Sequence, residues 1–207
     1  MTTLYFIRHG ETDYNRQGII QGGGIDSDLN ETGIRQAHSF YQNYQHIGFD
    51  AVYASPLRRT HQTLHPWKIQ GYELRIEEGL KEFDWGSLEG VKPSEAQEKE
   101  FSDAIRRWES GETHFRYAGG ESPVDAWKRA EAFFSTLTER HPRQKLLLCS
   151  HGRQLRVILA ALVDRDLRAM HKYGHHNTAL TIVHINSDGH AYVEKHNDHS
   201  HLHPMKS

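Results

Sequence analysis

Two apolar runs that end abruptly in polar residues constrain the fold of this chain more than any other feature. They are Leu4–Ile7, followed by Arg8–Gly10, and Lys145–Cys149, followed by Ser150–Gly152. The second run is apolar at consecutive positions, which is typical of a parallel strand buried on both faces. Helical periodicity fills much of the chain between such runs. The sequence therefore predicts an α/β fold with three layers (α/β/α) around a mostly parallel sheet.

Turn and capping residues divide the rest of the chain into elements. The 207 residues match a single domain spanning 1–207, because a chain of this length can bury a sufficient core by itself. Residues 90–122 are predicted to be a helical insertion or lid over the active site. The other expected elements are a helix capped by Asn30, a strand at 50–54, a helix after Pro56 interrupted by Pro66, a charged helix near 94–110, a helix starting at Ser122-Pro123, and a closing hairpin formed by 179–185 and 191–195.

Charge and composition exclude several classes of partner. The 25 Lys and Arg residues balance 27 Asp and Glu residues, which argues against nucleic acid or a polybasic membrane anchor. No apolar run approaches the length of a membrane span, and the single Cys149 allows no internal disulfide. We expect a soluble cytoplasmic protein whose partner is neither nucleic acid nor a membrane. The sequence carries no mark of oligomeric state, and a homodimer stays open.

Polar groups follow four of the predicted strand ends. They are Arg8-His9, Arg58-Arg59, Glu82 and His151. Ligands of open parallel sheets bind beyond the carboxyl ends of the strands, where these groups would meet. Two histidines, arginines from two elements and one carboxylate indicate a phosphate site, so the expected partner is a small phosphorylated metabolite.

Each role in a phosphomonoester transfer has a candidate among these residues. His9 can attack phosphorus through one ring nitrogen, and Arg8 and Arg59 can hold phosphoryl oxygens with their planar guanidinium groups. His151 can donate to the same oxygens, and Glu82 can protonate the departing oxygen. This division of labour needs no metal and no cofactor.

The segment 4–15, which contains the Arg8-His9-Gly10 triplet, resembles the motif of the histidine phosphatase (phosphoglycerate mutase-like) superfamily. Segments 55–60, 80–86, 119–122 and 150–152 match further motifs in the family's order. The resemblance assigns the second arginine role to Arg59 and not to Arg58. It implies substrate or phosphate contacts for Thr12, Asn15, Gln21, Gly22 and Gly152.

The resemblance implies a phosphatase that hydrolyses small phosphomonoesters through a phosphohistidine intermediate. Residues 197–202 are similar to the ending of broad-specificity bacterial phosphatases of the family. The alternative is a cofactor-dependent phosphoglycerate mutase, but residues 90–94 lack the mutase stretch that follows the general acid. A phosphate-binding module without catalysis is a third hypothesis. Asp28 and Leu88 depart from the family's usual proline and tryptophan, which bears on pocket shape.

Other reactive side chains receive structural interpretations. A cysteine-phosphatase site would need an arginine six residues after Cys149, where Leu155 stands, so Cys149 is interpreted as a core residue. The surplus histidines lack a recognisable ligand spacing, so we predict no metal site among them. They are His171, His175, His176, His196, His199, His201 and His203.

Overall fold

The computed structural model describes residues 1–92, 94–117 and 119–202, which contain one six-stranded sheet. The sheet order is β3-β2-β4-β1-β5-β6. Strands β1 to β4 are mutually parallel, whereas β5 runs antiparallel to β1 and to β6. The strands are β1 (Thr2–Arg8), β2 (Ala51–Ala54), β3 (Leu74–Ile76), β4 (Lys145–Ser150), β5 (Leu180–Ile185) and β6 (Ala191–Asp198).

The three longest helices of the described residues begin where the sequence places capping side chains. Asn30 Oδ1 accepts from the backbone N–H of Gly33, and Ser94 and Ser122 each form a capping box with the residue three positions later. The helices are α1 (Asp13–Gln17), α2 (Glu31–Tyr44), α3 (Arg58–Thr63), α4 (His65–Ile69), α5 (Glu95–Glu109), α6 (Pro123–Ser135), α7 (Leu137–Arg140) and α8 (Gly152–Leu159).

The two faces of the sheet bury two separate apolar clusters. Along β4, Leu146 and Leu148 pack with α5, α6 and α8, whereas Leu147 and Cys149 pack with Phe40 of α2 and with α4. Burying such a side chain contributes about 1.5–3 kcal/mol, so a strand covered on both faces favours an unbroken apolar run. The predicted three-layer α/β/α fold is confirmed. Burial also raises the pKa of the Cys149 thiol, which suits a core residue.

Pro66 acts differently from the prediction. The helix after Pro56 ends at Thr63, and Pro66 lies in the first turn of α4. A proline there needs no hydrogen-bond donor, since the first N–H groups of a helix have no intrahelical partner. Pro66 therefore helps to start a helix rather than to interrupt one.

The segment predicted as an insertion contributes α5 to the layer beside the site. Trp108 is fully buried, and its Nε1 donates to the carbonyl of Phe115 (2.8 Å). Phe101 reaches the pocket described below. Pro93 and Ala118, which also belong to the predicted 90–122 segment, lie outside the described residues.

The carboxyl ends of β1, β2, β3 and β4 share one edge of the sheet, as their parallel pairing requires. Loops carrying the candidate residues leave the sheet at this edge. Within the described ranges, no helix has both the length and the apolar character needed to cross a membrane.

Candidate active site

His9 occupies the carboxyl end of β1 and is held by its own main chain. The residue is 1% exposed, and its Nδ1 lies 2.7 Å from the carbonyl oxygen of Gly10. Because a carbonyl only accepts, Nδ1 carries the proton, which leaves the lone pair on Nε2. The carbonyl of His9 itself accepts from Asn177 Nδ2 (2.9 Å). The local chain thus fixes both the ring orientation and the tautomer.

Burial keeps His9 uncharged. It lowers the pKa of His9 well below 6.5, and the positive charges of Arg59 and Arg8 lower it further. A neutral imidazole is the form that can act as a nucleophile. The environment therefore selects the reactive protonation state at neutral pH.

Arg59 and His151 form a buried pair directly behind His9. Arg59 Nε donates to His151 Nδ1 (3.1 Å), so the proton of His151 sits on Nε2, 2.7 Å from Ser55 Oγ. The rings of His151 and His9 are 5.1 Å apart between centroids. Burial, followed by the charge of Arg59, lowers the pKa of His151 well below 6.5. Burial likewise lowers the pKa of Arg59 to about 10.

Glu82 is bound to the first turn of α8. Its Oε1 accepts from the backbone N–H groups of Phe83 (2.8 Å) and Gln154 (3.0 Å). Its Oε2 has a single longer contact, 3.4 Å from the N–H of Arg153. The side chain is 7% exposed and lines the pocket. Because Oε1 accepts two hydrogen bonds and Oε2 has only the longer contact, Oε2 is the atom that can carry a proton toward a ligand.

A hydrogen-bonded loop positions the predicted substrate-binding residues. Thr12 caps α1, and its Oγ1 also accepts from Gln21 Nε2 (2.6 Å). Asn15 Oδ1 accepts from Asn177 Nδ2 (3.1 Å). The carbonyl of Gly22 accepts from an Arg59 guanidinium nitrogen (3.3 Å). These bonds tie the loop to the same edge of the sheet as His9.

Gly22 is required by close packing. A Cβ there would lie 1.8 Å from Glu89 Oε1 and 2.7 Å from the carbonyl of Phe83. The loop can approach the Glu82–Glu89 segment only because this position has no side chain.

A pocket of about 350 Å³ brings six of the ten predicted residues to one wall. Its size suits a small molecule. The six are Arg8, His9, Asn15, Gln21, Glu82 and Gly152, whereas Thr12, Gly22, Arg59 and His151 do not line the pocket.

Nine other residues line the pocket, and five of them have side chains that carry a polar nitrogen and were not predicted as site residues. Arg153 and Arg156 follow the His151-Gly152 pair at helical spacing, and that spacing could have revealed them. His175 and Asn177 precede β5, which runs antiparallel to β1 and starts beside its carboxyl end. The predicted mostly parallel sheet with a closing hairpin did not specify that pairing. Trp85 is the fifth, and the remaining lining residues are Gly18, Ile19, Ile20 and Phe101.

The described residues contain no group of three or more His, Cys, Asp or Glu side chains arranged to hold a metal ion. Four of the surplus histidines pack in pairs, His176 with His199 and His175 with His196. His203 lies outside the described residues.

Comparisons with known proteins agree on one family. A model described as the histidine phosphatase superfamily (branch 1) matches residues 4–199. Phosphoserine phosphatase 1 of Hydrogenobacter thermophilus is 31% identical over 186 residues, which cover 89% of this chain and 87% of that protein. A Yersinia pestis protein named as a probable phosphoglycerate mutase is 32% identical over 187 residues, covering 88% of this chain and 85% of that protein.

Solved structures share the architecture across nearly the whole chain. A mutant phosphoserine phosphatase from Entamoeba histolytica, in complex with phosphoserine, superimposes with a TM-score of 0.84 at 28% identity. The match covers 98% of this chain and 100% of that one.

Proposed function

The chain belongs to the histidine phosphatase superfamily (branch 1), and we propose that it hydrolyses small phosphomonoesters through a phosphohistidine on His9. One observation carries the proposal. A buried, neutral His9 has its Nδ1 proton bound to the Gly10 carbonyl, and it lines a pocket that also holds Arg8 and Glu82. That arrangement supplies a nucleophile, a cation and an acid around one small cavity.

In the first step, His9 Nε2 attacks phosphorus and the ester P–O bond breaks. Glu82 acts from its protonated form and passes the proton on Oε2 to the departing oxygen, which leaves as an alcohol. The phosphorylated ring carries a positive charge, which the Gly10 carbonyl offsets through the Nδ1–H bond. In the second step, water attacks phosphorus, Glu82 takes its proton, and the P–N bond breaks to restore neutral His9 and release phosphate.

Arg8 is the cation best placed to hold the phosphoryl group. Its Nη1 donates to the carbonyl of His175 (3.0 Å), but its Nε is buried without a hydrogen-bond partner among the described residues. Such an unpaired donor costs about 1–3 kcal/mol, and an anionic oxygen would offset that cost. Gly152 lies beside this nitrogen and opens α8, and the positive end of that helix dipole favours an anion.

We assign Arg59 and His151 to the same phosphoryl site, although His151 must first give up one of its present hydrogen bonds. Both ring nitrogens of His151 are engaged, one by Arg59 and the other by Ser55. His151 therefore contacts a phosphoryl oxygen only if it releases the Ser55 hydroxyl. Arg59 keeps the pair charged and holds the loop carbonyls of Ile25 and Gly22.

A phosphorus NMR time course in EDTA tests the proposal. Purified protein receives 3-phosphoglycerate, a trace of 2,3-bisphosphoglycerate, and an aryl phosphate. We expect inorganic phosphate to accumulate with wild type and with the exposed-histidine control His38→Ala, and not with His9→Ala. Accumulation of 2-phosphoglycerate would identify a mutase instead. Full activity of a folded His9→Ala variant would exclude the phosphohistidine, and binding without turnover by wild type would indicate a binding module.

A further inference from the structure

Two arginines of the pocket have no part in the chemistry described above. Arg153 and Arg156 lie three residues apart on α8, a spacing that places them on neighbouring positions of one helix face. Both line the pocket together with Gly152. Among the described residues, no carboxylate forms an ion pair with either arginine, and Glu82 bonds to the main chain of α8 instead.

Burying this pair is costly, and the negative charges of Glu82 and Glu109 offset the cost only in part. Burial lowers the pKa of Arg153 to about 10, and the charge of Arg156 adds to that effect. Burial also lowers the pKa of Arg156. Arg153 stays in place because its guanidinium lies over Trp85 and Trp108, 5.2 and 5.7 Å from the ring centroids. The fold thus positions a positive charge at the pocket and leaves its hydrogen-bonding groups available.

His175 is a second, independent observation that points to ligand binding. It lines the same pocket and is 8% exposed, yet neither ring nitrogen has a hydrogen-bond partner within the described part of the chain. Burial, with the charge of nearby His196, lowers its pKa well below 6.5, so the ring offers one donor and one acceptor. Buried polar groups are normally satisfied, and a bound molecule would satisfy these.

We propose, building on the proposed function, that Arg153, Arg156 and His175 bind a carboxylate on the leaving alcohol. Arg8 and Arg59 offset the two negative charges of the phosphoryl group, which leaves the α8 arginines as surplus positive charge. Planar guanidinium groups match a carboxylate in geometry as well as in charge. The substrate class is then a small phosphorylated hydroxy acid or amino acid, a size that the pocket of about 350 Å³ accommodates.

A matched pair of substrates isolates the carboxylate. Phosphoserine and phosphoethanolamine differ only by that group, and 3-phosphoglycerate and glycerol 3-phosphate form a second pair. For wild type we expect kcat/KM to be roughly 10- to 100-fold higher for the acid of each pair, the factor of a charge-assisted hydrogen bond. In Arg156→Gln we expect most of this preference for the acid to be lost, mainly through a higher KM for phosphoserine. The kcat/KM for phosphoethanolamine is expected to change by less than about threefold.

Two variants make the result specific. Arg156→Lys retains the charge and is expected to keep part of the ratio, whereas Arg35→Gln removes an exposed arginine of α2 and leaves the ratio unchanged. A wild-type ratio near one, or a ratio unaffected by Arg156→Gln, would overturn the carboxylate subsite while leaving the phosphatase proposal intact.

Binding to the His9→Ala variant separates the two proposals further. Titration calorimetry with phosphoserine and phosphoethanolamine reports the subsite even if no ester is hydrolysed. We expect a lower Kd for phosphoserine, and we expect Arg156→Gln in the same background to remove the difference. Equal Kd values would refute the subsite, whereas a clear difference with no turnover by wild type would refute only the proposed function.

Discussion

Glu82→Gln tests whether this carboxylate is the proton donor, and the structure separates its chemical effect from its structural one. The amide oxygen can replace Oε1 and keep the hydrogen bonds from the N–H groups of Phe83 and Gln154. Only Oε2, with its single contact of 3.4 Å to the N–H of Arg153, is replaced by an amide nitrogen. We therefore expect the free energy of unfolding to fall by no more than about 1 kcal/mol, the value of one hydrogen bond.

The effect on catalysis depends on the leaving group. Loss of a general acid typically lowers the rate 10²- to 10⁴-fold, which corresponds to about 3–5.5 kcal/mol of transition-state stabilisation. An alkyl phosphate needs that proton, because an alkoxide is a poor leaving group. A 4-nitrophenyl phosphate does not, because its phenolate is stable without a proton. We expect kcat/KM of Glu82→Gln to fall roughly 10²- to 10⁴-fold for phosphoserine and less than about tenfold for the aryl ester.

The assay is release of inorganic phosphate from both esters, with the exposed Glu139→Gln as a matched control and urea unfolding to verify the fold. An equal loss on both esters would refute the assignment, since a structural defect does not distinguish leaving groups. Unchanged hydrolysis of the alkyl ester would refute it as well.

Three further predictions concern stability and metal dependence. His9, His151 and His175 are buried with lowered pKa values, so the stabilisation from their neutral forms is complete above pH 6.5 and is lost as pH falls toward their folded-state pKa values. Urea unfolding should show that the free energy of unfolding falls below pH 6.5, with a slope of up to about 4 kcal/mol per pH unit for the three histidines together. A free energy of unfolding that stays constant from pH 7.5 to 5.5 would contradict their burial. Gly33→Ala would place a Cβ 2.1 Å from the carbonyl oxygen of Glu11, so thermal unfolding should reveal a loss of about 1–3 kcal/mol, and an unchanged Tm would show that the contact relaxes freely. Prolonged treatment with EDTA should leave kcat unchanged, and activity lost to EDTA and restored by a divalent cation would contradict a metal-free reaction.

The features of this fold that could be predicted from sequence depend on residues close together in the chain. The apolar run of β4 reflects burial on both faces, and helices α5 and α6 begin at capping boxes contained within four residues. The polar groups after β1 and β4 could be placed together because parallel strands bring their carboxyl ends to one edge. The prediction that Pro66 interrupts a helix was wrong, because a single proline is compatible with either the interruption or the start of a helix.

The composition of the pocket depended on contacts between distant parts of the chain. The Arg8 guanidinium donates to the carbonyl of His175, which lies 167 residues later in the chain. The two residues meet because β5 enters the sheet antiparallel to β1. No local pattern encodes that pairing. The sequence by itself determined the α/β layers, the strand-end nucleophile candidate His9 and the helix starts, because each follows from periodicity or capping within a few residues. Only the tertiary structure decided the protonation state of His9, the bonding of Glu82 and the position of His175, because burial and charge arise from atoms that the chain brings together on folding.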